Sequence, residues 1–292
     1  MDTSVRILRV FVTRWLDRAE YDTDRTLRKL VEFGSYFSGS VPQKRFFAAV
    51  KSILTEKNSQ YYMLARTLFS NVSKDRITEF GIAFGYYGLA KNARFSNERH
   101  FQHENSGLVA GIIPPLGEAH ENISLTEAFR ELAQSGTSVF FIFCDEADIN
   151  ESELFEIVSK NPRRAFFVFT SDDVLAMKYS QKNVMPVLNL DLENQASLAA
   201  KLKKRGRLFG GYCRVSDENA DNVTSEAFLD NTYKNDCLFL FLIQDTHASG
   251  SSGGLGEFTY REKRRPSHPI FITKLPGDID WLNELPVKKA KQ

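Results

Sequence analysis

From Leu108 onward the chain alternates without exception between short apolar runs and amphipathic stretches, and this constrains the fold more than anything else in the sequence. The runs are 108–113, 138–144, 165–169, 184–190, 208–215 and 237–243. Between them lie stretches of helical periodicity at 124–136, 151–160, 173–181, 194–205 and 224–235. Six apolar runs and five helices in strict alternation predict a parallel sheet with helices outside it. The runs are apolar at nearly every position rather than at every second one, as in strands buried on both faces. The clearest is Val139-Phe140-Phe141-Ile142-Phe143, which meets Cys144-Asp145-Glu146 at its end. Residues 269–274 can add one more strand before a polar tail.

Residues 4–94 have a different period. Val5, Leu8, Phe11, Val12 and Trp15 share one helix face. Asp24 is placed to cap a second helix, Pro42 suits the first turn of a third, a fourth lies near 61–69, and Ser73 precedes a fifth. Aromatics such as Phe80, Phe84 and Tyr87 recur at helical spacing, which reads as core. Residues 95–106 are polar and aperiodic, so the chain divides into a helical region with its linker at 1–106 and an α/β region at 107–292. His100 and His103, in the linker, have no further ligands nearby for a metal.

Composition narrows the class. The longest apolar run is Cys237–Ile243, too short to span a membrane, and Arg6, Arg9, Arg14 and Arg18 interrupt the apolar residues at the start, unlike a signal peptide. The three cysteines are far apart, which argues against a disulfide framework or a local metal motif and for a reducing, cytoplasmic setting. Residues 1–106 hold 17 Lys/Arg against 11 Asp/Glu. Solvated helix faces account for that excess, and no aromatic-basic motif supports a nucleic-acid surface. The glycine-rich stretch 250–256 lacks phosphate-loop spacing and reads as a flexible loop.

Several segments resemble the radical S-adenosylmethionine (radical SAM) family, in the branch that carries a helical N-terminal region. Ile123–Glu127 is similar to the start of the first barrel helix. Phe143-Cys144-Asp145-Glu146-Ala147 stands where the family has Gly-Gly-Glu-Pro, and Phe166–Thr170 with Ser171-Asp172 where it has Phe-x-x-Thr-Asn-Gly. Asn183–Leu190 resembles the fourth strand, Glu218–Phe228 is the most specific local match, and Pro266–Ile272 resembles the segment after the sixth strand. The resemblance implies a partial (β/α)6 TIM-like barrel behind a helical preface.

The departures all fall on the chemistry. The family's Cys-x-x-x-Cys-x-x-Cys, whose thiolates hold a [4Fe–4S] cluster, would fall at Pro114–Asn122, where there is no cysteine. The Gly-Gly pair has become Cys144-Asp145, its proline Ala147, and the Asn-Gly after the third strand is gone. Asn189-Leu190-Asp191-Leu192 replaces the loop after the fourth strand, and no cysteine-rich domain follows 275. The expectation is a degenerate member without cluster, cofactor or metal, acting as a binding or accessory protein for a partner or ligand. That partner would be a catalytically intact relative, its substrate or a second copy, with no membrane or nucleic-acid partner expected.

Site residues in parallel α/β folds follow the carboxyl ends of strands. The ligand-binding candidates are therefore Cys144, Asp145, Glu146, Asp172, Asn189, Asp191, Arg214, Asp245 and His247. A second reading, a metal-assisted hydrolase or lyase, would use Glu146, Asp172, Asp191 and His247. Against it, carboxylates after strands commonly cap the next helix, a role that suits Asp148, Asn150, Asp173 and Asp217. Cys144 is the one cysteine expected at the mouth, with Cys213 and Cys237 as packing residues.

Overall fold

A computed structural model describes residues 3–38, 40–91, 109–113, 124–144, 150–244 and 252–284. Five α-helices open the chain: α1 (Thr3–Arg18), α2 (Thr23–Tyr36), α3 (Val41–Ile53), α4 (Gln60–Asn71) and α5 (Lys74–Gly81), the last continuing into a wider π-helix, Ile82–Lys91. Their starts follow local chemistry. Ser40 and Gln43 form a reciprocal capping box ahead of α3 with Pro42 in its first turn. The cap of α2 is Asp22, which accepts the Arg25 N–H, and not Asp24. Asp24 sits inside the first turn and pairs with Arg66 at 2.8 Å.

The second region is a seven-stranded parallel sheet in sequential order, curled into a half-barrel. The strands are β1 (Ala110–Ile113), β2 (Val139–Phe143), β3 (Ala165–Thr170), β4 (Val184–Asn189), β5 (Gly210–Val215), β6 (Phe239–Gln244) and β7 (Phe271–Leu275). The intervening helices are α6 (Leu125–Gln134), α7 (Glu151–Lys160), α8 (Asp173–Lys178), α9 (Gln195–Lys204), α10 (Ala220–Val223) and α11 (Glu226–Lys234). Then come α12 (Ser252–Arg264) and, after β7, α13 (Gly277–Glu284). The partial barrel expected from sequence is present with a seventh strand. The glycine-rich stretch departs from the loop expected of it: most of 250–256 is the first turns of α12. Burial of Leu255 and Phe258 against β6 and β7 residues outweighs the low helix propensity of its glycines. The sequence-predicted linker at 95–106, with His100 and His103, lies outside the described residues.

Alternation along the strands divides the apolar residues between two faces. On the convex side Phe140, Ile142, Phe166 and Val168 pack with α6, α7 and α8, while Cys213, Leu240, Leu242 and Ile272 pack with α10 to α12. The concave side is lined by Val139, Phe141, Phe143, Phe167, Phe169, Met185, Val187, Tyr212 and Phe241. Its interior is filled with rings. Phe141 stacks on Phe167 at 4.6 Å and Phe143 on Phe169 at 4.2 Å, and Phe241 meets Phe141, Phe167 and Phe169 edge-on. From the helical region, Phe80 of α5 and Phe84 of the π-helix reach in to Phe167 at 5.3 and 5.9 Å. Gly88 passes so close to β2 that a Cβ there would lie 2.8 Å from Val139. The helical preface therefore plugs the half-barrel at the amino ends of its strands.

A half-barrel leaves two edges, and an unpaired edge strand invites aggregation. Here α13 turns back from β7 and crosses to β1. Asn283 accepts the Ala110 N–H at 2.8 Å and donates to the Ala110 carbonyl at 3.0 Å, so its amide takes the place of a neighbouring strand. Ile279 and Leu282 of α13 join the concave core.

Candidate functional site

The carboxyl ends of β3, β4 and β5 bring a small polar group together above the aromatic interior. Counting inward positions two at a time, Ser171 follows Phe169, Asn189 follows Val187 and Arg214 follows Tyr212. Asn189 donates to the Ser171 hydroxyl at 3.3 Å and its Oδ1 accepts the Asp191 N–H at 3.0 Å. Asp191 in turn accepts the backbone N–H of Arg214. Partial burial pushes the Asp191 carboxyl up, and the Arg214 N–H and guanidinium draw it part of the way back. Of the sequence-predicted candidates, Asn189, Asp191 and Arg214 thus sit together. Ser171 joins them, and the sequence carried no signal for it, because a strand apolar on both faces does not show which positions point inward. The Arg214 side chain is exposed at this rim, two positions beyond inward Tyr212.

Two other candidates have different surroundings. Asp172 is the N-cap of α8, its Oδ1 accepting the Val174 N–H at 2.7 Å and the Leu175 N–H at 3.4 Å. Capping carboxylates satisfy helix donors and meet the positive end of the dipole. Asp173, expected to cap, is instead the first residue of α8 and accepts from Asn194 at 3.3 Å. Asn150 caps α7 as expected. Cys144, expected at the mouth, directly follows β2, one position past inward Phe143, and its side chain packs against the convex-side cluster under α6 and α7. Asp145, Glu146, Asp245 and His247 lie outside the described residues, as does Asp148.

The half-barrel invites comparison with cluster chemistry, and the cysteines do not fit it. Three thiolates on one metal cluster must converge. Cys144, Cys213 and Cys237 instead belong to three different apolar clusters of the convex side. Burial raises the Cys213 thiol well above the ordinary range and pushes Cys237 up to about 12, keeping both protonated. Among the described residues no group of three or more His, Cys, Asp or Glu is placed to hold a metal ion. No helix among them is long and apolar enough to cross a membrane.

Fold and rim together define an α/β protein on a partial TIM-like half-barrel. Comparison with known proteins leaves it at that class: no family model, no characterised protein and no solved structure matches the chain.

Proposed function

We propose that the protein is a degenerate radical-SAM-like barrel that binds a partner or ligand and performs no cluster or SAM chemistry. The observation that carries this reading is the ring packing on the concave face. In a cofactor-binding partial barrel that face holds the cofactor, whereas here Phe143 and Phe169 stack at 4.2 Å at the carboxyl end, beside Tyr212 and Phe241. The sequence supports it independently. The place of the cluster cysteines, Pro114–Asn122, has none, and residues with side chains, Cys144 and Asp145, stand in place of the glycine pair. Loss of these groups with retention of the apolar strands is what selection for a scaffold alone would leave. The Ser171, Asn189, Asp191 and Arg214 rim is the surface such a scaffold offers a ligand, and a catalytically intact relative or its substrate is the partner the likeness favours.

The test is anaerobic reconstitution of the full chain with iron and sulfide, followed by reduction in the presence of SAM. The expected result is no bound [4Fe–4S] cluster and no 5′-deoxyadenosine. Stoichiometric cluster with reductive SAM cleavage would overturn the reading.

A further inference from the structure

The arginines that interrupt the apolar residues at the start of the chain surround an exposed stripe. In α1, Val5 and Leu8 are buried with Ile82, and Val12 packs on them, making the inner face. The outer face carries Ile7 at 52% exposure and Val10 at 65%, with Phe11 at its border, 42% exposed while its ring meets Trp15 and, on α2, Phe33 at 5.8 and 5.7 Å. Spacing of i, i+3 and i+4 puts these three side by side. Arg14 and Arg18 continue the same line at i+7 from Ile7 and Phe11, and Arg6 lies on the flank; all three are exposed. The other charges of the helix are satisfied within the fold, Arg9 by Glu79 at 2.7 Å and Asp17 by Lys74 at 3.2 Å. Arg6, Arg14 and Arg18 form no ion pair among the described residues. The outer face of α1 is thus a small apolar centre flanked by three arginines that have no ion-pair partner among the described residues, with Asp17 and Glu20 sharing Lys74 at its far end.

We propose that α1 is a membrane-surface helix, which seats Ile7, Val10 and Phe11 at the headgroup–acyl boundary of an anionic bilayer and places Arg6, Arg14 and Arg18 on lipid phosphates. An interfacial helix is defined by an apolar stripe with Lys/Arg beside it, and each basic residue near an anionic surface adds to the attraction. The charge pattern excludes a span, and adsorption is the arrangement it permits. The shape favours lipid over protein. A partner helix seats in a groove, whereas this stripe runs along the convex outer surface of one helix. Three side chains are also far fewer than the roughly 20 residues a side of a stable protein interface. A second copy across a two-fold axis would bring the same patch, with its arginines, against itself.

Sedimentation of the full chain with phosphatidylcholine vesicles, with and without phosphatidylglycerol, tests this at low salt. The protein should pellet with the anionic vesicles only. Val10→Asp and Arg14→Glu should each lower the partition coefficient by roughly tenfold. Both positions are exposed, so the fold survives, and far-ultraviolet circular dichroism checks that it does. A protein that stays in the supernatant, pellets equally with neutral vesicles, or pellets equally as either variant overturns the proposal. So does a light-scattering dimer that Val10→Asp dissociates, which would give the face to a second copy.

Discussion

Cys213 and Cys237 are buried in two different apolar clusters on the convex side, and their position decides their chemistry. A thiol reacts as thiolate, and burial raises the pH at which thiolate forms. Both therefore stay protonated, and inert, at pH 8 while the fold is intact. Ellman's reagent should leave these two unmodified in the native protein and report three thiols after denaturation. Rapid native modification of all three would contradict the packing. At this scale the sequence was informative where a residue's role is local. The Asn150 cap follows from neighbours within three positions, and it forms as expected. It was silent where the role depends on which face a strand presents. Cys144 reads as a mouth residue by its place after the strand, yet its side chain packs on the convex side.

Elements were legible where burial enforces a period. Strands with both faces covered must be apolar throughout, which makes β2, β3 and β6 plain in the sequence. The helix α12 was not, because its glycines signal a loop and only tertiary contacts of Leu255 and Phe258 outweigh them. Nor could sequence say what closes the half-barrel, since Asn283 lies 173 residues from its partner Ala110. That contact is two hydrogen bonds to an edge strand. Replacing Asn283 with Ala leaves a partly buried N–H and C=O without their partner, at a cost of about 1–3 kcal/mol. Urea denaturation should show that loss, and amide exchange should accelerate in β1 ahead of β2 and β3. Unchanged exchange in β1 would mean that the apolar contacts of α13 close the edge without the amide.

The molecule as a whole is a parallel half-barrel whose concave side serves as core. Phe80 and Phe84 enter from one end, Ile279 and Leu282 from the open edge, and the strands supply the stacked rings between. The division into helical preface and barrel was visible in the change of period near residue 108, but the preface as a plug was not, because nothing in a helical aromatic stripe names the surface it will bury against. Phe169 is at the centre of this arrangement, with no exposed surface and with Phe143, Tyr212 and Phe241 around it at 4.2 to 5.4 Å. Equilibrium unfolding of Phe169→Ala by urea therefore measures the central claim directly. A ring inside a packed core costs about 3–5 kcal/mol on truncation to Ala. A loss of that size, with the midpoint lowered and the slope unchanged, is the predicted result. A loss below about 1 kcal/mol would mean that Phe169 lines an open site and that the concave face is not the core.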